Sequence, residues 1–271
     1  MHASTLPQIR RVALVIQYLG GEFCGWQRQP HDPSVQQTIE DLLSTLCNHP
    51  VTLHGAGRTD TGVHAAAQVA HFDTASAVPP ERWAKILNAR LPPGILIRES
   101  AEVSPSWHAR FSATWRRYRY TLFTAAIANL FVRQFSWHYY LSPLDAPLMQ
   151  AALDPMLGEQ DLAALQRSGS QRRHARLEVQ KALCWREHHF VYVEVQASGF
   201  LYGMMRLLVG LLVEVGRSQL SVADFTEIWQ KRLRHRVKYA APPQGLCLLG
   251  VGYREHPFAE ATYQPALLTL R

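Results

Sequence analysis

Between an apolar-alternating run, Val51-Thr52-Leu53, and a strand-like run, Gln68-Val69-Ala70-His71-Phe72-Asp73, lies His54-Gly55-Ala56-Gly57-Arg58-Thr59-Asp60-Thr61-Gly62-Val63-His64-Ala65. Glycines at this density disfavour a helix and permit backbone conformations that other residues adopt only at a cost. The stretch is therefore a loop mounted between two strands, a rigid place for a reactive side chain. Asp60 stands two residues after Arg58, so in extended backbone both project to the same side. A guanidinium nearby favours the ionised carboxylate, which suits a nucleophile or an electrostatic stabiliser better than a general acid. The plainer reading is a β-turn with Asp and Gly in their usual turn roles.

The chain on either side supplies a frame. Arg10 to Tyr18 reads as a strand with Val12, Leu14 and Ile16 in phase, and Ser34-Val35-Gln36-Gln37 opens a helix to about Leu46 with Ile39, Leu42, Leu43 and Leu46 inward. Pro79-Pro80-Glu81 starts a second helix ending near Leu91, and Ile95 to Val103 is a further strand. The order strand, helix, strand, strand, helix, strand resembles a ferredoxin-like α+β unit. A comparable series follows: a strand at 116–122, a helix over 143–157, strands at 177–186 and 190–197, a helix over 200–215, a helix from Ser221 to about Arg234, and a closing strand from Gly245 to Tyr253. Two related halves are expected, 1–105 with the Asp loop and 106–271 with a tyrosine strand and an arginine-bearing helix, sharing a continuous antiparallel sheet with a central cleft.

The helix over 200–215 is apolar nearly all round yet carries Arg206. It is too short to span a bilayer, which leaves a core helix. A buried guanidinium needs a carboxylate or a polar cleft, unless it snorkels from one exposed edge. Asp60, from the other half, is an attractive partner.

With a net charge of +7, the 271-residue chain calls for a polyanionic partner. Only Lys85, Lys181, Lys231 and Lys238 are lysines, so its basic character is chiefly arginine, the side chain whose planar fork matches phosphate and stacks on bases. Trp107-His108-Ala109-Arg110-Phe111 and Trp115-Arg116-Arg117-Tyr118-Arg119-Tyr120 interleave arginine with aromatics as RNA contacts require, although a sheet with one aromatic and one basic face gives the same pattern. A further basic run spans Arg167 to Arg176, and another Arg232 to Lys238. Cys24, Cys47, Cys184 and Cys247 stand far apart, and His54, His64 and His71 fit no common zinc spacing, so no metal is expected. There is neither a P-loop nor a dinucleotide fingerprint. The start, Met1 to Pro7, lacks the pattern of a signal peptide, so a cytoplasmic chain is expected. Asp60-Thr61-Gly62 also matches an aspartic protease signature, but that chemistry needs two carboxylates sharing a proton, and no second Asp-Thr-Gly exists in the chain.

Taken in order, Gly25-Trp26-Gln27-Arg28-Gln29, Ser34-Val35-Gln36, Gly57 through Ala65, His108-Ala109-Arg110-Phe111-Ser112-Ala113, Arg117-Tyr118-Arg119-Tyr120, Phe200-Leu201 through Met204 to Arg206, Val209-Gly210, and Ala241-Pro242 to Gly245-Leu246 resemble the tRNA pseudouridine synthase I (TruA) family. The resemblance implies the α+β pseudouridine synthase fold, a homodimer, no cofactor, and isomerisation of uridines in the anticodon arm of tRNA, on the 3′ side. It casts Asp60 as the essential aspartate, Tyr118 as the active-site tyrosine and Arg206 as the arginine pairing with the aspartate. Arg58 matches the residue assisting base flipping, and Trp107 to Phe111 an RNA-contacting segment. Tyr202 and Gly203 stand where the family usually has a histidine pair, and Ser198 and Leu207 replace common asparagines. The competing reading is a tRNA-binding or RNA-folding protein without turnover.

Overall fold

A computed structural model describes residues 9–169 and 174–259; the leading Met1 to Pro7 and Arg172-Arg173 of the basic run lie outside the described residues. The chain forms two compact units. One runs up to Thr114 and takes in the stretch from Leu249 onward; the other is Trp115–Leu248. The sequence expectation divided the chain near Pro105 and left the last strand wholly in the second half. By its contacts that strand belongs mostly to the first unit.

In the first unit, β1 (Arg10–Tyr18) lies between β4 (Ile95–Val103) and β3 (His64–Thr74), antiparallel to both. β10 (Leu246–Tyr253) follows beside β3. The alternation in β1 understates its burial, because Ala13 and Val15 are as fully enclosed as Val12, Leu14 and Ile16. α1 (Val35–Cys47) begins at Ser34, whose hydroxyl accepts the Gln37 amide, as the capping sequence requires. Its inward face differs from the expected one. Ile39 and Leu43 are buried, but Leu42 and Leu46 are only half-buried, and Gln36 and Glu40 go inside instead.

Those two polar residues explain why Val51-Thr52-Leu53 is not a strand. Leu53 donates its amide to Glu40 Oε1 at 2.7 Å, and its carbonyl accepts from Gln36 Nε2 at 3.0 Å. The Val51 amide is taken by the Ser44 hydroxyl. Helix side chains thus satisfy groups that a ladder would otherwise pair. Only His54–Gly55 (β2) reaches a neighbour, pairing with His71 and Ala70 of β3. β3 in turn starts four residues before the expected Gln68, at His64. Its Ala65-Ala66-Ala67 run has weak strand propensity, and pairing with β1 overrides that, Ala65 standing opposite Tyr18. α2 (Trp83–Asn88) ends short of Leu91 and lies against β4.

In the second unit, β5 (Ala113–Phe123) pairs with β9 (Phe190–Ala197), β9 with β8 (Arg176–Glu187), and β8 with the short β7 (Gly158–Asp161), all antiparallel. Two-residue β6 (Trp137–His138) adds a parallel edge to β5. β6 and β7 escape sequence reading because neither is long enough to show a period. α3 (Ala146–Leu153) packs on β8, α4 (Met204–Gly216) and α5 (Val222–Gln230). α4 starts four residues later than the expected Phe200, after Gly203 takes a left-handed φ of 69°. The architecture is α+β with predominantly antiparallel pairing, as expected. Among the described residues no helix is long and apolar enough to cross a membrane.

Candidate active site

The loop from Ala56 to Val63 is fastened at Ala56, Gly57, Thr59, Asp60 and Val63. The Ala56 amide donates to Val69 O at 2.8 Å, and Gln68 Nε2 donates to Gly57 O at 2.9 Å. Thr59 is buried and doubly held, its hydroxyl 2.8 Å from that of Tyr18 and its carbonyl accepting the Trp26 amide at 3.1 Å. With Thr59 turned inward, Arg58 is exposed and Asp60 half-buried on the other side, the i and i+2 relation expected from sequence. Val63 N donates to Asp60 O at 3.1 Å across a turn whose third residue, Gly62, has φ 80°. The plain β-turn reading is therefore right about the backbone, and the turn is what presents the Asp60 side chain.

Two glycines let neighbouring chain close on this loop. Gly25 has φ 83°, and a Cβ there would stand 2.6 Å from Thr59 O. At Gly55 a Cβ would meet the Trp26 indole at 2.6 Å. The Gly25-Trp26 pair is thus the back wall of the Asp60 turn, a role that sequence spacing alone did not reveal. His64 is buried, and its Nδ1 accepts the Gly20 amide at 3.1 Å.

The Trp107–Phe111 segment belongs to the same unit. Arg11 fixes its entry, donating Nη1 to Trp107 O at 2.8 Å while binding Asp73 through Nε and Nη2 at 2.7 and 2.8 Å. Ala109 is fully buried; its amide donates to His71 Nδ1 at 3.2 Å and its carbonyl accepts from the Tyr253 hydroxyl at 2.7 Å. The Trp107 ring stands against His71 and Tyr253, and His108 is 4.5 Å from His71 and 4.4 Å from Phe111, centre to centre. Burial, and then the neighbouring His108, Arg11 and His54, push His71 down to about 3, so its ring is neutral and can accept the Ala109 amide. His108 is also lowered, by burial first and then by His54, Arg11 and Arg110. Arg110 and Phe111 are left exposed with the guanidinium 5.7 Å from the ring centre, a surface pair suited to stacking. Among the described residues no group of three His, Cys, Asp or Glu is placed to hold a metal.

The second unit carries Tyr118 and Arg206. Tyr118 lies in β5, nearly buried, its ring 4.7 Å from Phe200 in an edge-on contact. Alternation turns Arg117 and Arg119 to the opposite face. There Arg119 meets Glu194, its partner across the ladder, at 3.0 and 2.8 Å, and Arg117 approaches the same carboxylate at 3.8 Å. Glu194 went unnoticed in the sequence, although it is the one acid in the apolar strand Phe190–Ala197. Arg206 is half-buried on α4, and its Nε donates to Ala241 O at 2.7 Å. The Tyr120 hydroxyl donates to Pro242 O at 2.8 Å, and burial pushes its acidity far out of reach, only partly countered by Arg206.

These elements make an α+β protein that displays the Asp60 carboxylate on a braced turn and carries exposed Arg110 and Phe111 in the same unit. The sequence profile of the pseudouridine synthase family described as tRNA pseudouridine synthase matches residues 14–112 and 152–254, and the chain belongs to that family. Among its relatives, tRNA pseudouridine synthase A of Rippkaea orientalis is 58% identical over 99% of this chain and 92% of its own length. The proteins of the same name from a Picosynechococcus and a Synechocystis strain are 58% and 56% identical, over 92% and 97% of this chain and 91% and 96% of theirs.

Proposed function

We propose that the chain converts uridine to pseudouridine in the anticodon arm of tRNA, on the 3′ side, as a cytoplasmic homodimer without a cofactor. Asp60 is the essential carboxylate, attacking the sugar or the base, or assisting deprotonation of the sugar as the base leaves. Arg206 holds it aimed and charged, and Tyr118 stacks on the uracil and assists loss of the C5 proton. Reaching the glycosidic bond means taking the uracil out of its stack at a cost of about a few kcal/mol. Arg58, exposed beside Asp60, fills the gap and grips the neighbouring phosphate. In the segment Trp107, His108, Ala109, Arg110 and Phe111, the exposed Arg110 and Phe111 carry the tRNA contact, and buried Ala109 and half-buried Trp107 and His108 hold them in place.

The observation that carries this reading is the braced Asp60 turn, with Thr59 bound to Tyr18 and Trp26, in a chain 58% identical to tRNA pseudouridine synthase A relatives. Self-association is supported by a second-unit segment that leaves Ile127, Leu130, Phe131, Tyr140 and Leu141 exposed, an apolar density unusual on a monomer. Incubating the protein with unmodified tRNA and mapping pseudouridine by carbodiimide labelling tests the activity. The wild type yields product in the anticodon arm, whereas Asp60→Asn yields none and still binds tRNA. Product from Asp60→Asn removes the carboxylate from the chemistry, and tRNA binding without product in the wild type leaves an RNA-binding protein.

A further inference from the structure

One face of α4 is unusually close to the segment that precedes β10. Arg206, Gly210 and Glu214 are spaced by four and stack along that face. At the first, the Ala241 backbone is held twice: Ala241 N donates to Arg206 O at 2.8 Å, and the Arg206 side chain donates back from Nε to Ala241 O at 2.7 Å. At the third, the Tyr239 hydroxyl donates to Glu214 Oε1 at 3.0 Å. Between them Gly210 leaves no room for a side chain, since a Cβ there would stand 2.5 Å from Tyr239 O. The same segment is fixed from β5, where Tyr120 binds Pro242 O and packs so tightly that a Cβ at Gly245 would lie 2.6 Å from its ring.

We propose that Gly210 and Tyr239 are positioning residues for Arg206, setting how closely the Tyr239–Pro242 backbone lies on α4 and thereby where the guanidinium points. The reasoning is geometric. A guanidinium whose Nε is committed to a fixed carbonyl loses most of its rotational freedom, and the planar fork then holds its remaining N–H groups in set directions. The Ala241 carbonyl can serve as that fixed point only if the chain two residues earlier lies flat on the helix, which glycine alone permits. Glycine inside a helix is otherwise a disfavoured choice. Glu214 and the Tyr239 hydroxyl close the other end, so the segment cannot pivot away. The inference rests on the role given to Arg206 above.

The test is steady-state kinetics on unmodified tRNA for Gly210→Ala, Arg206→Lys and the double variant, with melting temperatures alongside. Gly210→Ala is expected to lower kcat on the order of 10²-fold with KM for tRNA unchanged, since a displacement of about 1 Å at a reacting group costs that much. The double variant should be no slower than Arg206→Lys alone, because both changes damage one device. A purely structural role would lower the melting temperature and leave the two effects multiplicative, which overturns the proposal. So does wild-type kcat in Gly210→Ala when Arg206→Lys is slow. Wild-type kcat in Arg206→Lys instead removes the role given to Arg206 itself. Should Gly210→Ala fail to fold, Tyr239→Phe, which removes only the hydroxyl bonded to Glu214, decides: a kcat loss of about tenfold that vanishes in the Arg206→Lys background supports the proposal, and an unchanged kcat overturns it.

Discussion

Replacing Gly25 by alanine brings two costs onto the loop that carries Asp60. The backbone there has φ 83°, a region that costs a residue with a side chain about 1–3 kcal/mol. The added methyl would also stand 2.6 Å from Thr59 O and 3.1 Å from Asp60 C, both backbone atoms that cannot swing aside. Overpacking of that kind costs about another 1–3 kcal/mol. The sum, roughly 2–6 kcal/mol, is a large share of the stability of an ordinary domain. Gly57, in the same loop, is the matched control: its φ is outside the left-handed region and nothing lies within 4 Å of where its Cβ would be. Gly57→Ala should stay within about 1 kcal/mol of wild type and could gain slightly from a stiffer unfolded chain. Thermal melts of the two variants provide the comparison, with pseudouridine formation as a second readout that Gly25→Ala lowers through the displaced Thr59–Asp60 backbone. Equal melting temperatures for Gly25→Ala and Gly57→Ala would refute the idea that Trp26 and Thr59 brace the turn through that close approach.

Glu40→Ala should destabilise by about 1–3 kcal/mol, because the Leu53 amide loses its acceptor in a buried place, while Glu40→Gln should cost less by keeping an oxygen there. Equal melting temperatures for these two variants would show that the oxygen is not what matters. The Arg28 ion pair adds little, since that arginine side chain is half exposed. His71 has its ordinary value of 6.5 depressed to about 3 in the fold, so the unfolded chain binds a proton that the folded chain refuses. Its contribution is fully present above pH 6.5 and is lost as pH falls toward about 3, a decline that His71→Asn should flatten in melts from about pH 7 down to about pH 4. Parallel pH slopes for the two proteins would exclude His71 as the source. Binding to tRNA should weaken steeply with added salt as phosphate contacts release counterions, and a flat filter-binding titration from 50 to 200 mM would count against an arginine-dominated interface.

Much of this molecule was readable in advance, for reasons particular residues make plain. β1 and β9 declare themselves through apolar runs, β4 opens on Ile95-Leu96-Ile97 after a Pro-Pro-Gly break, and Ser34 and Ser221 mark two helix starts by capping chemistry. The Asp60 loop was conspicuous because glycines and charges crowd it. What escaped depended on partners distant in sequence. Gln36 and Glu40 look like a solvated helix face until Leu53 is seen to need both. Ala65-Ala66-Ala67 favours a helix until β1 claims it as a strand. Arg117 and Arg119 sit in a run that suits either RNA contacts or the basic face of a sheet, and both turn toward Glu194 on that face. The functions of Gly25, Gly210 and Gly245 lie in what they leave out, which only neighbouring coordinates disclose.

The order in which the two units acquire their residues also has a consequence for biosynthesis. Every residue of Trp115–Leu248 emerges from the ribosome before Leu249–Tyr253, which the first unit needs to cover β3 and to tie down Ala109 through Tyr253. The unit that begins the chain is therefore the last to close. Until then the side of β3 that faces β10 is an unpaired strand edge, the kind of surface that recruits other nascent chains. A polypeptide stopped shortly before Leu249 should be a client of holdase chaperones rather than a smaller enzyme.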